Sequence, residues 1–433
     1  MHNVVVRQMS SFSSEAHVSY SPVSDSLAGR IRIEQDMHLH VLGLGPIGCL
    51  LAHNLRRILP PQHIITLIHK RPHDVQQFIE GGRSIRVERT GLASTSKGFL
   101  DEVYHQTTPH PNQQEQELKP ETSHIESIFV ALKAHHTVKA LTALRPRLNA
   151  NSTIVLLNNG MGVHDELLSD VFRNPTQCPH FILASNTHGA FVKNPYHIIH
   201  AGMGSIEFGI APDERDYEAG LKDQTLPPQN RRLRLSDISP PGDPDARRYK
   251  SLRETVAALL LLEDLNVSWK TVGEMQLIVR RKLAVNAVIN PLTAILSCRN
   301  GDLFQHPFAV EILDKVCAEV SMVYDAQIRA DHDAWMRELE IRRVNPDRVE
   351  PPTLPEPLTA ESLKNEVHRV ADLTKGNISS MLQDIRRGRK TEIDYINGYL
   401  ENSGRQFGVE TPVNSTLLNL VKLKYVMPLD QFM

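Results

Sequence analysis

Met37-His38-Leu39-His40-Val41-Leu42-Gly43-Leu44-Gly45-Pro46-Ile47-Gly48 is the stretch that decides the fold. Its first residues read as a strand, and a GxGxxG loop follows without a gap. Cys49–Leu59 then reads as a helix, ended by Pro60-Pro61. A strand feeding a glycine loop that opens a helix is the context a dinucleotide fingerprint requires. A glycine-rich turn of no function is the alternative. In that context Gly43 permits the tight turn, Gly45 lets the backbone approach a pyrophosphate, and Gly48 allows close helix–strand packing. Leu44, Pro46 and Ile47 complete the loop. The phosphates are expected at the helix N-terminus, where free N–H groups and the dipole favour anions.

Outward from the loop, Ile64–Ile68 is a second apolar strand, and Ile125–Leu132, Thr153–Leu157 and Phe181–Ser185 read as further ones. Strand–helix alternation of this kind predicts a doubly wound α/β sheet of the Rossmann type. NAD enzymes place an acid near the end of the second strand. This chain has Ile68-His69-Lys70-Arg71 there, so Lys70 and Arg71 point to the 2′-phosphate of NADP rather than to NAD. An ordinary solvated pair is the bland alternative. Three later strands end in polar residues: at Lys133, at Asn158-Asn159-Gly160, and at Asn186-Thr187-His188-Gly189-Ala190. Together they suggest a lined crevice outside the carboxyl ends of the strands. His188 by itself reads as structural, and His135 and His136 read as helix-start residues.

After about residue 270 helical periodicity dominates, with candidates near 273–290, 307–329, 359–387, 391–407 and 412–424. Lys282, Asn286 and Asn290 recur every four residues among apolar neighbours, which stacks an ammonium and two amides on one helical face. A snorkelling lysine is the alternative. Pro291 is expected to end or kink that helix. Downstream, Asn377, Ser380 and Asp384 share a predicted polar face. Thr391 precedes an acid-rich turn in which Glu392 and Asp394 could simply complement a helix dipole; Asp394 reads as structural.

The chain has 433 residues, enough for two domains. The reading is a disordered extension over 1–36, a nucleotide domain over 37–270 and an all-α domain over 271–433. Polar or Pro-rich insertions are read at about 104–124, 212–250 and 331–357. The 40% hydrophobic content supports cores, with the shortfall assigned to those insertions. A net charge of −2 gives no bulk case for nucleic acid or an anionic membrane. The longest apolar run, Val256–Leu262, is far short of a membrane span. Four cysteines without a CxxC pair suggest a reducing compartment, the cytoplasm. The Ser-rich N-terminus leaves a mitochondrial address as the alternative. No metal-ligand spacing stands out among the 21 histidines. Monomer and homodimer remain open.

Arg281–Ile295, Asn377–Ile385 and Thr391–Gly398, with the glycine loop and Asn159-Gly160-Met161-Gly162, closely resemble the ketopantoate reductase family (2-dehydropantoate 2-reductase). The resemblance covers most of 38–210 and 250–425. It implies a Rossmann domain followed by a helical domain, with the active site in the cleft, and NADPH-dependent reduction of 2-dehydropantoate to (R)-pantoate in pantothenate and coenzyme A synthesis. By the same resemblance Lys282 is the proton donor and Glu392 the active-site glutamate. Asn159, Asn286, Asn290, Ser380 and, less securely matched, Asn300 bind substrate. Lys133, Asn159, Ala190 and Glu392 contact the cofactor, and Lys70, or Arg71 in a shifted register, reads the 2′-phosphate. Two other readings stand beside it: a reductase of another branched 2-oxo acid, and a non-catalytic NADP sensor.

Overall fold

The computed structural model describes residues 36–104, 123–341 and 352–427. The expected extension up to residue 35 and most of the expected insertion at 104–124 lie outside the described residues, as does the centre of the one at 331–357. The described chain groups into two compact units. A sheet unit holds residues up to Asn158 and from His164 to Met275; a helical unit holds Asn159–Val163 and the chain from Gln276 on. No described helix is long and apolar enough to cross a membrane.

The strands of the sheet unit are β1 (His38–Leu42), β2 (Ile64–His69), β3 (Ile85–Arg89), β4 (Leu92–Ser96), β5 (Leu100–Val103), β6 (Ser127–Val130), β7 (Thr153–Leu156), β8 (His180–Asn186), β9 (Gly189–Asn194), β10 (His197–Gly202), β11 (Ile206–Ile210) and β12 (Val267–Trp269). Eight of them form one sheet in the order β5-β2-β1-β6-β7-β8-β11-β12. Neighbours run parallel except β8 and β11. Strand order reverses between β1 and β6, the topological switch point where such sheets bind ligands. Leu39 and Val41 of β1 enter the apolar core. His38 and His40 alternate onto the opposite face, where Glu102 lies 3.4 Å from His40 Nε2 and accepts two hydrogen bonds from Arg147 at 2.8 and 3.2 Å.

The helix after β1 runs Pro46–Ile58, three residues earlier than the apolar pattern suggested. Gly45 is its N-cap and Pro46 its first residue, where a missing N–H is harmless. Arg56 closes the other end by donating to the carbonyls of Leu59, Pro60 and His63, each at 2.7 Å. This helix also packs on a second sheet, β4-β3-β10-β9, which the sequence reading missed. His53 fixes the docking, its two ring nitrogens each 2.9 Å from a serine hydroxyl of β4, Ser96 and Ser94. The segment 212–250, expected as a loose excursion, is folded down. Tyr217 and Ile238 join the core, and Arg215 pairs with Asp243 at 2.5 Å while stacking over Tyr249.

In the helical unit Val272–Leu296 is one helix that passes through Pro291 instead of ending there. The next long helix extends to Ile341, into the expected insertion. The single helix expected over 359–387 is two, Ala360–Leu373 and Ser380–Arg386, split by a turn at 374–379. The helix expected from 391 starts only at Asn397, after a short 3₁₀ turn over Ile393–Tyr395. A second core joins these elements, built around Ala287, Val288, Val320, Ile393 and Leu400. The cysteines are unpaired. Cys49 in the sheet unit and Cys317 in the helical unit are both buried, and burial pushes each thiol up to about 12.

Candidate active site

In the sheet unit, the glycine loop is built on β1 and β6. A Cβ on Gly43, whose φ is +99°, would lie 2.7 Å from the Ala131 carbonyl carbon, just past β6. One on Gly48 would lie 2.0 Å from Gly43 O. Neither position has room for a side chain. Gly45 differs: nothing lies within 4 Å of its Cβ position, so space remains open over the start of the helix. That cradle, with free N–H groups at the N-terminus of a helix of 13 residues, suits a pyrophosphate. Lys133 is half-buried at the N-cap of Ala134–Leu144, two residues past Ala131. His135 and His136 lie in the first turn of that helix.

At the end of β2 the two cations part ways. Arg71 pairs with Asp74 at 2.9 Å, which holds its guanidinium above its usual pKa. Lys70 is exposed with no ion pair among the described residues. His69 is bound from both sides, by Asp101 at 2.8 Å and the Tyr196 hydroxyl at 2.9 Å. Ala190 sits on β9, paired with His200 of β10, at the margin of the core. His188 is a buried structural residue. Its Nε2 donates to Leu265 O and its Nδ1 accepts from Gly204 N–H, each at 3.0 Å, and burial lowers its pKa.

The residues expected to meet the substrate lie in the helical unit. Lys282 and Asn286 are half-buried and Asn290 is buried, on one face of the Val272–Leu296 helix. Neighbouring cations are committed elsewhere: Arg281 to Glu366 at 2.9 Å, and Arg280 against the Tyr324 ring. Glu392 is 4% exposed and accepts a hydrogen bond from Asn159 Nδ2 at 3.4 Å. The pair is held by the backbone. Met161 N–H donates to Tyr395 O at 2.9 Å, and Gly160, φ +82°, lies so close that a Cβ would be 2.4 Å from that oxygen. Asn159-Gly160-Met161 therefore belongs to the turn that carries Glu392.

Ser380 is exposed at the first position of its helix; Asn377 lies before the helix, off the polar face predicted for it. Ser379 is the N-cap, accepting from Leu382 N–H at 3.1 Å. Thr293 donates to Ser379 at 2.7 Å and so docks this helix start one turn from Asn290. Asn300 braces the 374–377 turn, its side chain donating to Thr374 and its N–H to Asn377 O. Its Oδ1 is buried without a partner among the described residues. Asp394 pairs with Lys422 at 2.6 Å and Lys390 at 3.4 Å. Burial pushes its carboxyl up, but the two lysines outweigh that and hold it below its usual range. Thr293 and Ser379 escaped the sequence reading because hydroxyls carry no periodic signal.

Two family models match the chain: ketopantoate reductase PanE/ApbA over residues 39–213, and the ketopantoate reductase PanE/ApbA C-terminal model over 274–425. The 2-dehydropantoate 2-reductase of Salmonella typhimurium is 31% identical over 393 residues, covering 90% of this chain and 95% of the relative. That of Escherichia coli O157:H7 is 33% identical, over 69% of this chain and 73% of the relative. Among solved structures, a PanE/ApbA family ketopantoate reductase from Ralstonia eutropha superposes with a TM-score of 0.58 at 18% identity, over 90% and 98% of the two chains. A D-mandelate dehydrogenase with NADH and anilino(oxo)acetate gives 0.60 at 19% identity, with the same shares. At those identities the structures speak for the fold. The sequence matches run through both units, and on them the chain belongs to the ketopantoate reductase family of pyridine-nucleotide-dependent oxidoreductases.

Proposed function

We propose that this protein is a 2-dehydropantoate 2-reductase that uses NADPH, with Lys282 as the proton donor. The observation that carries the reading is a buried carboxylate, Glu392, bonded by Asn159 in the same unit as the Lys282–Asn286–Asn290 face. Gly43–Gly48 hold the pyrophosphate and Lys70 the 2′-phosphate, with Lys133, Asn159, Ala190 and Glu392 as further cofactor contacts. Lys70, exposed and without an ion pair among the described residues, is suited to a phosphate, whereas Arg71 would first have to leave Asp74.

Reducing a ketone to an alcohol needs a hydride at carbon and a proton at oxygen. NADPH supplies the hydride to C2 of the 2-oxo acid when bound. Lys282, as the ammonium, stabilises the charge that develops on the carbonyl oxygen and delivers the proton to it. Asn286, Asn290 and Ser380 orient the substrate through hydrogen bonds to its carboxylate and hydroxyl, with Asn300 as a less direct contact. Glu392 accepts a hydrogen bond from the substrate hydroxyl. Asn159, donating to Glu392, keeps that carboxylate aimed.

The test follows NADPH absorbance with ketopantoate and with 2-oxoisovalerate, which lacks the hydroxyl. Turnover of ketopantoate far above that of 2-oxoisovalerate is expected, because the analogue lacks the hydroxyl that a buried carboxylate is built to accept. Equal turnover of both substrates would overturn the substrate reading. Equal use of NADH would overturn the cofactor reading.

A further inference from the structure

Pro291 sits inside the helix that carries Lys282, Asn286 and Asn290. Proline has no N–H, so the Ala287 carbonyl, four residues back, loses its helical partner. Ala287 is fully buried, and a buried carbonyl requires a donor. The donor is Asn397 Nδ2, at 3.0 Å. Its second N–H goes to Asn414 Oδ1 at 2.9 Å, and Asn414 Nδ2 donates to Glu319 at 2.7 Å. Glu319 also accepts the N–H groups of Val413 and Asn414, in the first turn of the Pro412–Val426 helix, at 2.8 and 2.9 Å. Ala287 O can only accept, so the amide orientation of Asn397 is fixed by chemistry.

We infer that Asn397 is a positioning residue: it fastens the turn bearing Glu392 to the helix bearing Lys282, at the gap that Pro291 leaves. Asn397 is five residues past Glu392, and no slack separates them. Tyr395 N–H donates to Glu392 O, Ile396 N–H to Ile393 O, and Ile393 and Ile396 are buried in the core. The bond lands on Ala287, between Asn286 and Asn290. Loss of the fastening shifts Glu392, and Asn159 with it, relative to the amine. The inference rests on the roles proposed above for Lys282 and Glu392.

A purely structural Asn397 would act through stability alone, by satisfying Ala287 O and Asn414 Oδ1, so kcat would follow Tm. Pro291→Ala restores an N–H that can satisfy Ala287 O without Asn397. The experiment measures kcat, KM for each substrate and Tm for the full chain as N397A, P291A and N397A/P291A. For N397A, kcat should fall about 10–100-fold, the scale of a small misplacement of reacting groups. Its Tm should fall as well. In the double variant Tm should rise above that of N397A while kcat stays low, and P291A alone should keep kcat near that of the natural protein. Recovery of kcat together with Tm in the double variant would overturn the inference. K282A and E392Q, assayed alongside, test the underlying roles separately. If both retain turnover those roles fail; if both lose it while the double variant regains kcat, only the fastening fails.

Discussion

The glycine loop and the helix around Pro291 both depart from ordinary backbone rules, and they are accommodated in opposite ways. In the loop the backbone meets its own constraints: Gly43 and Gly48 are dictated by atoms within 3 Å of where a Cβ would be. In the Lys282 helix the local sequence breaks a rule, and a side chain more than 100 residues away, Asn397, repairs it. The first solution is written in consecutive residues. The second exists only once the helical unit has folded.

That contrast can be broken or sharpened by substitution. The largest effect is expected at Lys282, where Ala should lower kcat by about 10²–10⁴-fold, the usual size of a general-acid contribution. Near-normal turnover would remove the side-chain half of the comparison. Next, Gly43→Ala and Gly160→Ala should each cost about 1–3 kcal/mol in urea unfolding, because both put a Cβ at positive φ against backbone. Gly45→Ala is the counter-case. Its position is open and its φ is −81°, so Tm should hold while NADPH binding weakens. Equal destabilisation at Gly43 and Gly45 would mean the loop is shaped by folding alone.

Lys70→Ala should raise the Kd for NADPH about 10–100-fold, the range for a lost charge-assisted hydrogen bond, and leave that for NADH alone. Arg71→Ala should do less, since Asp74 occupies that guanidinium. Equal losses for both cofactors would defeat the 2′-phosphate reading. The smallest effect concerns Glu102. Burial pushes its carboxyl up, but His40 and Arg147 outweigh that and hold it at about 2. A depressed carboxyl contributes stability that is complete above its usual value near 4.5 and lost as pH falls toward 2. The stability gap between the natural protein and Arg147→Ala should therefore close over that window. A gap that stays constant would detach Glu102 from the ion pair.

The same contrast explains what could be read in advance. The strand ending at Leu42, the loop and its helix follow from twelve adjacent residues, and the apolar runs of β2, β6, β7 and β8 mark buried parallel strands. The second sheet was missed because β4 and β9 are largely exposed and carry no buried apolar run. The alternation Ile85-Arg86-Val87-Glu88 was its one available signal. The helix does not end at Pro291: helix propensity is local, while the donor that rescues Ala287 is not. Asking where that carbonyl finds its hydrogen would have called for a partner without naming Asn397. Lys282, Asn286 and Asn290 were legible because helical spacing survives any tertiary context. By spacing alone Glu392 was not distinguishable from a dipole-complementing acid; only the family resemblance singled it out, and in the structure Asn159 is bonded to it.

The paired burial of Cys49 and Cys317 has a practical use. Alkylating reagents attack the thiolate, and with both groups pushed up to about 12 almost none exists at neutral pH. Each therefore stays silent until its own surroundings open. Cys178 and Cys298, partly accessible, are the sites to block beforehand. Peptide masses collected over time in mild denaturant would then record, in one unlabelled chain, when the sheet unit loosens and when the helical unit does.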